Sequence, residues 1–243
     1  MRKQLLKSLL LLGTSALFAG DYSHSLWSYH DKTGPKHWGD LKKEYAICKS
    51  GKNQSPINID GALEATLTPL NIYYNANTRT FINNGHTLKA EMSSGAKLYI
   101  DKKEFQLLQF HFHTPSENTI DGKYFPMEAH FVHSTKEKEL AVVAVMFKIG
   151  KENPTLQKLI EKMPKKVSDT SVVHIKAQDL LPESLEYYRF NGSLTTPPCS
   201  EGVRWFVLKE PLEISKEQLE AFESVMGKNN RPLQSINARV ILK

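Results

Sequence analysis

Gln109-Phe110-His111-Phe112-His113 is the stretch whose reading decides the fold. Aromatic and polar residues alternate with a period of two, the period of a β-strand, on which residues i and i+2 share a face. His111 and His113 therefore point the same way, about 6.5–7 Å apart along the strand. Phe110 and Phe112 point to the opposite face, into a core, and the alternation extends back to Phe105. A connection carrying Pro115, Asp121-Gly122 and Pro126 then leads to Glu128-Ala129-His130-Phe131-Val132-His133, a second strand that returns beside the first. His130 shares its face with Glu128 and Val132. His133 falls on the other face and reads as a structural histidine.

Two imidazoles on one strand and a third on its neighbour can hold a first-row metal. Three neutral imidazoles suit Zn²⁺ and leave its fourth position open, the mark of a catalytic site. Gln109 and Glu128 each precede a histidine by two residues on the same face, where they can accept from a ligand's free N–H. From the pattern alone, a metal site and an ordinary polar face both stay open.

Outward from this segment the chain reads mostly as strand. Leu140 to Phe147 is a continuous apolar run rich in β-branched residues, as in a strand buried on both faces. Val203 to Leu208 and Ala238 to Leu242 are further strand candidates, and Asn83-Asn84-Gly85 and Asp121-Gly122 are turn signals. Helices are few: Pro154 to Met163, and Ser215 to Met226, which opens with a capping-box pattern. No internal repeat, low-complexity block or linker interrupts the chain, so the expectation is a mainly β single domain.

The 243 residues include 32 Lys+Arg and 26 Asp+Glu, with 40% hydrophobic and 24% charged residues, a globular composition that excludes disorder. Arg2, Lys3 and Lys7 precede an apolar run from Leu9 to Phe18, followed by Ala19 and Gly20. This is the order of a secretory signal peptide, expected over residues 1–20, with the mature domain at 21–243. The run is too short to span a bilayer and none like it follows, so no transmembrane segment is expected in the mature protein. The leader carries three of the six net positive charges, and the excess that remains does not call for a nucleic-acid partner. Export, periplasmic or fully secreted, reads Cys48 and Cys199 as one disulfide, with two buried free thiols as the alternative.

Gln109 to His113, Glu128-Ala129-His130 and Ser193-Leu194-Thr195-Thr196-Pro197-Pro198 together resemble the α-class carbonic anhydrases. So do Gln54 to Ile59, Asn83-Asn84-Gly85-His86 and Val203-Arg204-Trp205, in order over nearly the whole mature chain. The leader and the cysteine pair resemble the exported bacterial members. The resemblance implies a central, largely antiparallel ten-stranded twisted sheet with a few short surface helices. It implies a zinc lyase with Zn²⁺ on His111, His113 and His130, whose Zn-bound hydroxide attacks CO₂ to give bicarbonate and a proton. By position, Thr195 and Glu117 orient that hydroxide, His86 shuttles protons and Thr196 lies beside the substrate. Val132, Val142, Leu194, Val203 and Trp205 form the apolar wall that receives CO₂, and Tyr29, Asn84 and Lys89 line the wet side of the site. It also implies cis bonds at Ser55-Pro56 and Pro197-Pro198, and by analogy a homodimer.

Two other functions compete. A metal-free binding module of this family characteristically lacks one or more ligand histidines, whereas all three are present. A zinc hydrolase acting mainly on esters has no dedicated acyl-binding motif or Ser–His nucleophile to support it.

Overall fold

The computed structural model describes residues 26–243, so the expected leader lies outside the described residues. Among the described residues thirteen strands form: β1 (Asn58–Ile59), β2 (Asn71–Tyr73), β3 (Thr78–Asn83), β4 (Leu88–Met92), β5 (Lys97–Ile100), β6 (Lys103–His113), β7 (Thr119–Ile120), β8 (Met127–Ser134), β9 (Leu140–Ile149), β10 (Thr170–Ser171), β11 (Tyr187–Ser193), β12 (Glu201–Leu208) and β13 (Leu212–Ile214). Eleven of them make one sheet in the order β10-β3-β4-β6-β8-β9-β12-β11, with β5 beside β6, β2 beside β5 and β13 beside β9. Within this sheet the β9–β12 and β9–β13 pairs are parallel and the others antiparallel, and β1 pairs with β7 in parallel as a separate two-stranded sheet. The sheet has one strand more than expected, its ends being pieces of two or three residues such as β2, β10 and β13.

The apolar run of β9 has a simple cause. Val143, Val145 and Phe147 enter the larger core, with Phe110, Phe112 and Phe131. Val142, Ala144 and Met146 enter a second core on the opposite face, with Val203, Trp205 and Val207. Both faces are dry, so neither can carry polar residues. β8 contributes Ala129 and Phe131 to the larger core and turns Glu128, His130 and Val132 the other way.

β6 departs from the expected unbroken alternation. Phe105 and Leu107 face the larger core, and so do Phe110 and Phe112, which is a shift of one residue. Leu108 is the extra residue of a β-bulge, because Leu107 pairs with His133 while Gln109 already pairs with Val132. It is 48% exposed. Bulges re-aim side chains beside functional sites, and this one sets Gln109, His111 and His113 on the face opposite the core.

Two short helices, α1 (Trp38–Leu41) and α2 (Ile47–Ser50), precede the sheet. α3 (Pro154–Glu161) is capped by Asn153, and α4 (Lys216–Met226) carries the expected capping box of Ser215 and Gln218. Phe222 of α4 packs on Phe112 with ring centroids 4.9 Å apart. Ala238 to Leu242 forms no strand; Leu242 makes only isolated bridges to Leu63 and Arg189, covering the outer edge of β11. Cys48 and Cys199 are bonded across 151 residues of sequence. The Ser55-Pro56 and Pro197-Pro198 bonds are cis as expected, and Thr114-Pro115 is cis as well.

Leu107→Ala should cost about 2–5 kcal/mol as a buried truncation. Its neighbour Leu108→Ala should cost less than about 0.5 kcal/mol, as an exposed one. Urea unfolding of both variants checks the bulge, and equal losses would contradict it.

Candidate metal centre

The register of β6 and β8 puts His111 directly opposite His130 and His113 opposite Glu128. The imidazoles of His111, His113 and His130 converge, with one ligating nitrogen from each lying within 4.8 Å of the others. His113 and His130 are fully buried. Burial holds all three well toward the neutral form, and the neighbouring histidines press His111 and His130 further the same way. Neutral imidazole is the form that donates a lone pair to a metal.

The far nitrogens are turned by fixed partners. Gln109 Oε1 lies 2.9 Å from His111 Nδ1, as its position two residues earlier on the same face implied. His113 Nδ1 meets the backbone oxygen of Asn229 at 2.8 Å. Glu128 Oε1 stands 2.9 Å from His130 Nε2, without the alignment of a formed hydrogen bond. Elimination leaves Nε2 of His111, Nε2 of His113 and Nδ1 of His130 facing one another. His113 Nε2 is buried with no hydrogen-bond partner, an orphan that a metal ion would satisfy. The donor set thus fits Zn²⁺, with three nitrogens and a position to spare.

Two buried carboxylates stand behind the histidines. Glu128 accepts from the backbone N–H of Glu117 and Asn118 and from the Asn118 side chain, at 2.7–2.9 Å. Burial raises its pKa against those bonds. Glu117 Oε1 accepts from the Arg231 backbone N–H at 2.8 Å, and its Oε2 lies 3.4 Å from His113 Nε2. Burial pushes Glu117 up to about 8, opposed by the Thr195 hydroxyl and the Arg231 N–H. The Arg231 guanidinium is itself buried, donating to Gln54 Oε1, Ser55 O and Cys48 O. Burial lowers its pKa to about 10.

The site opens to a cavity of about 130 Å³ lined by His111, His113, Thr196, Lys89, Tyr29 and His86, among others. Lys89 sits in register with His111 and pairs with Glu91 at 3.1 Å. The turn at Asn83-Asn84-Gly85 forms as read, with Asn84 Oδ1 accepting from the N–H of His86 and Thr87. Here Gly85 adopts φ +83°. His86 stacks flat on Trp27, with ring centroids 3.6 Å apart, and burial lowers its pKa to about 4. The ring is thus partly withdrawn from water.

The residues expected to form the apolar wall all belong to the second core. Trp205 stands edge-on to His130 at 4.9 Å. Val142, Val203 and Trp205 are sealed at 2% exposure or less, so the open part of the wall is Val132 and Leu194. His133 faces the larger core, bonded to Tyr74 at 2.6 Å, and takes no part in the site. Sequence reasoning missed Asn229 and Arg231, whose contacts with His113 and Glu117 run through the Asn229 carbonyl and the Arg231 N–H and carry no residue-type signal.

The profile of the eukaryotic-type carbonic anhydrase family matches residues 33–243. The chain belongs to the α-carbonic anhydrase family. A carbonic anhydrase of Pectobacterium atrosepticum is 49% identical over 94% of this chain and 95% of its own length. One from Neisseria gonorrhoeae is 42% identical over 98% and 96%. The α-carbonic anhydrase of Thermovibrio ammonificans, solved with the inhibitor sulfanilamide, superposes with a TM-score of 0.88 at 52% identity, covering 89% of this chain and 98% of that one. Dioscorin complexed with ascorbate shares the fold at 32% identity and a TM-score of 0.80, covering 89% of this chain and 96% of that one. Likeness of fold thus reaches proteins under other names, and what marks this chain as a carbonic anhydrase enzyme is sequence relationship joined to a complete three-histidine cluster. Among the described residues no helix is long and apolar enough to cross a membrane.

His113→Ala should abolish stoichiometric zinc, and Gln109→Ala should weaken zinc affinity about tenfold by freeing the His111 ring. Competition with a chromogenic chelator measures both. Full zinc occupancy in the His113 variant would remove this residue from the ligand set.

Proposed function

We propose that this enzyme catalyses the reversible hydration of CO₂ to bicarbonate and a proton, with Zn²⁺ held by His111, His113 and His130. The observation that carries the reading is the buried, neutral three-imidazole cluster set between an apolar patch and a polar cavity. When bound, Zn²⁺ supplies the Lewis acidity that makes water a nucleophile near neutral pH, chemistry for which carbonic anhydrase is itself the reference case.

The chain's own residues divide the remaining work. Thr195 donates its hydroxyl proton toward the Glu117 carboxylate, which keeps the hydroxyl oxygen free to accept from the attacking water and fix its orientation. Glu117 is held for this by the Arg231 N–H. Val132 and Leu194 offer CO₂ an apolar surface backed by Val142, Val203 and Trp205, while Thr196 closes the cavity beside His111 and His113. His86 relays the released proton along the cavity. Its ring lies on the cavity lining, stacked on Trp27.

Export to the periplasm or beyond and assembly as a homodimer belong to the same reading. Export is supported by the leader pattern of residues 1–20 and by the Cys48–Cys199 bond. The homodimer rests on family analogy.

Stopped-flow CO₂ hydration tests the proposal on zinc-loaded protein. Thr195→Ala should lower kcat/KM about 10²-fold, the scale of losing a positioned transition-state group. His86→Ala should lower kcat about three- to tenfold and leave kcat/KM nearly unchanged, with imidazole buffer restoring the rate. No CO₂ hydration by stoichiometrically loaded protein would overturn the function. A parallel fall of kcat and kcat/KM in His86→Ala would overturn the relay.

A further inference from the structure

Asn229 lies three residues beyond α4 and is fully buried. Its carboxamide joins two separate pieces of backbone. Oδ1 accepts from the Thr114 N–H at 2.8 Å. Nδ2 donates to the carbonyl of Phe112 at 2.9 Å and to the carbonyl of His86 at 3.0 Å. Phe112 is the residue between the two histidines of β6. The same Phe112 carbonyl also accepts from the Thr87 hydroxyl at 2.6 Å.

These bonds stand where the sheet's own ladder stops. The register of β4 with β6 runs from Glu91 opposite Gln109 to Lys89 opposite His111. His86 and Thr87 precede β4, beyond that register, so the Thr87 hydroxyl and the Asn229 carboxamide do there what backbone pairing does further along. The turn before them is held by its own Asn83 and Asn84 side chains, which fix its shape but not its distance from β6.

We propose that the Asn229 carboxamide is a positioning device that ties the His86 segment to the ligand strand, so that the His86 ring keeps a fixed place over the cavity. The consequence for turnover rests on the reading of His86 as proton relay; the tie itself does not. Asn229 touches neither substrate nor metal through this side chain. It acts through the backbone of His86 on one side and of Phe112 and Thr114 on the other.

Asn229→Asp keeps the size and the Oδ1 acceptor but removes both donors and turns a carboxylate oxygen toward two carbonyls. Asn229→Ser removes the carboxamide without adding charge and serves if the Asp variant does not fold. Hydrogen exchange followed by mass spectrometry on the zinc-loaded protein tests the tie. Exchange over residues 84–88 should speed up about tenfold or more, through easier local opening, while the core of β8 and β9 stays protected. Unchanged exchange over 84–88 overturns the proposal whatever His86 does. Kinetics test the consequence: kcat should fall about two- to fivefold at low buffer, with kcat/KM nearly constant and rescue by imidazole. In a His86→Ala background the same substitution should add nothing further to the loss. A parallel fall in kcat/KM, a rise in kcat, or an additive loss in that background shows a general support of the metal strand and overturns the positioning role. If His86→Ala alone leaves kcat unchanged, the relay reading fails, and the exchange result still decides the tie.

Discussion

The pairing of His111 with His130 across β6 and β8 is the constraint from which the rest of the site follows. Opposed side chains on antiparallel strands are about 4.5–5.5 Å apart at Cβ, close enough for two imidazoles to share one ion. A shift of one residue in either strand would turn its histidine into the phenylalanine core. The Leu108 bulge is part of that constraint. Without the extra residue, Phe105 and Leu107 could not face the core together with Phe110 and Phe112. The strand therefore satisfies two packing demands that a regular strand could not meet at once.

Such a cluster is costly to bury, and the arrangement of charge behind it shows how the cost is met. Three imidazoles out of water cannot all be protonated, and burial with mutual repulsion keeps them neutral. Two carboxyls sit close behind them, each needing donors. Glu128 has three, from Glu117 and Asn118, and Glu117 has the Arg231 N–H together with the approach of Thr195. Burial nonetheless pushes the Glu117 pKa up to about 8 against these donors. A divalent cation held by His111, His113 and His130 would add positive charge beside Glu117 and favour its anionic form.

Much of this was legible in the sequence, for physical reasons. Period-two alternation over Phe110 to His113 and Glu128 to Val132 reports which side chains share a face, and the sheet obeyed it. The double burial of β9 was legible because no polar residue interrupts Leu140 to Phe147. Other features had no such signal. Leu108 is apolar yet exposed, so composition gives no hint that it stands outside the pattern. The stack of His86 on Trp27 joins rings 59 residues apart that only the folded chain brings into contact. Ala238 to Leu242 has the composition of a strand, but β11 already pairs with β12 along one edge, and the segment meets the other edge at only two points, Leu242 bridging Arg189 and Arg239 donating to the Asn191 carbonyl.

The most informative gap is the segment from Asn229 to Arg231. Its backbone provides the acceptor for His113 Nδ1 and the donor for Glu117 Oε1, across 116 and 114 residues of sequence. Both contacts are made by backbone atoms, so no motif announces them. Each depends instead on where α4 ends, and that is set by Phe222 packing on Phe112 and by the Thr114 hydroxyl donating to the Gly227 carbonyl. The β6–β8 pair can therefore bring the three histidines together, but it cannot by itself aim His113 or hold Glu117. Both adjustments wait for the last helix to dock on the back of the ligand strand. Such contacts carry a loop-closure cost that grows slowly with sequence separation. The histidine pair thus belongs to the local logic of the sheet, while its tuning as a metal site belongs to the completed fold.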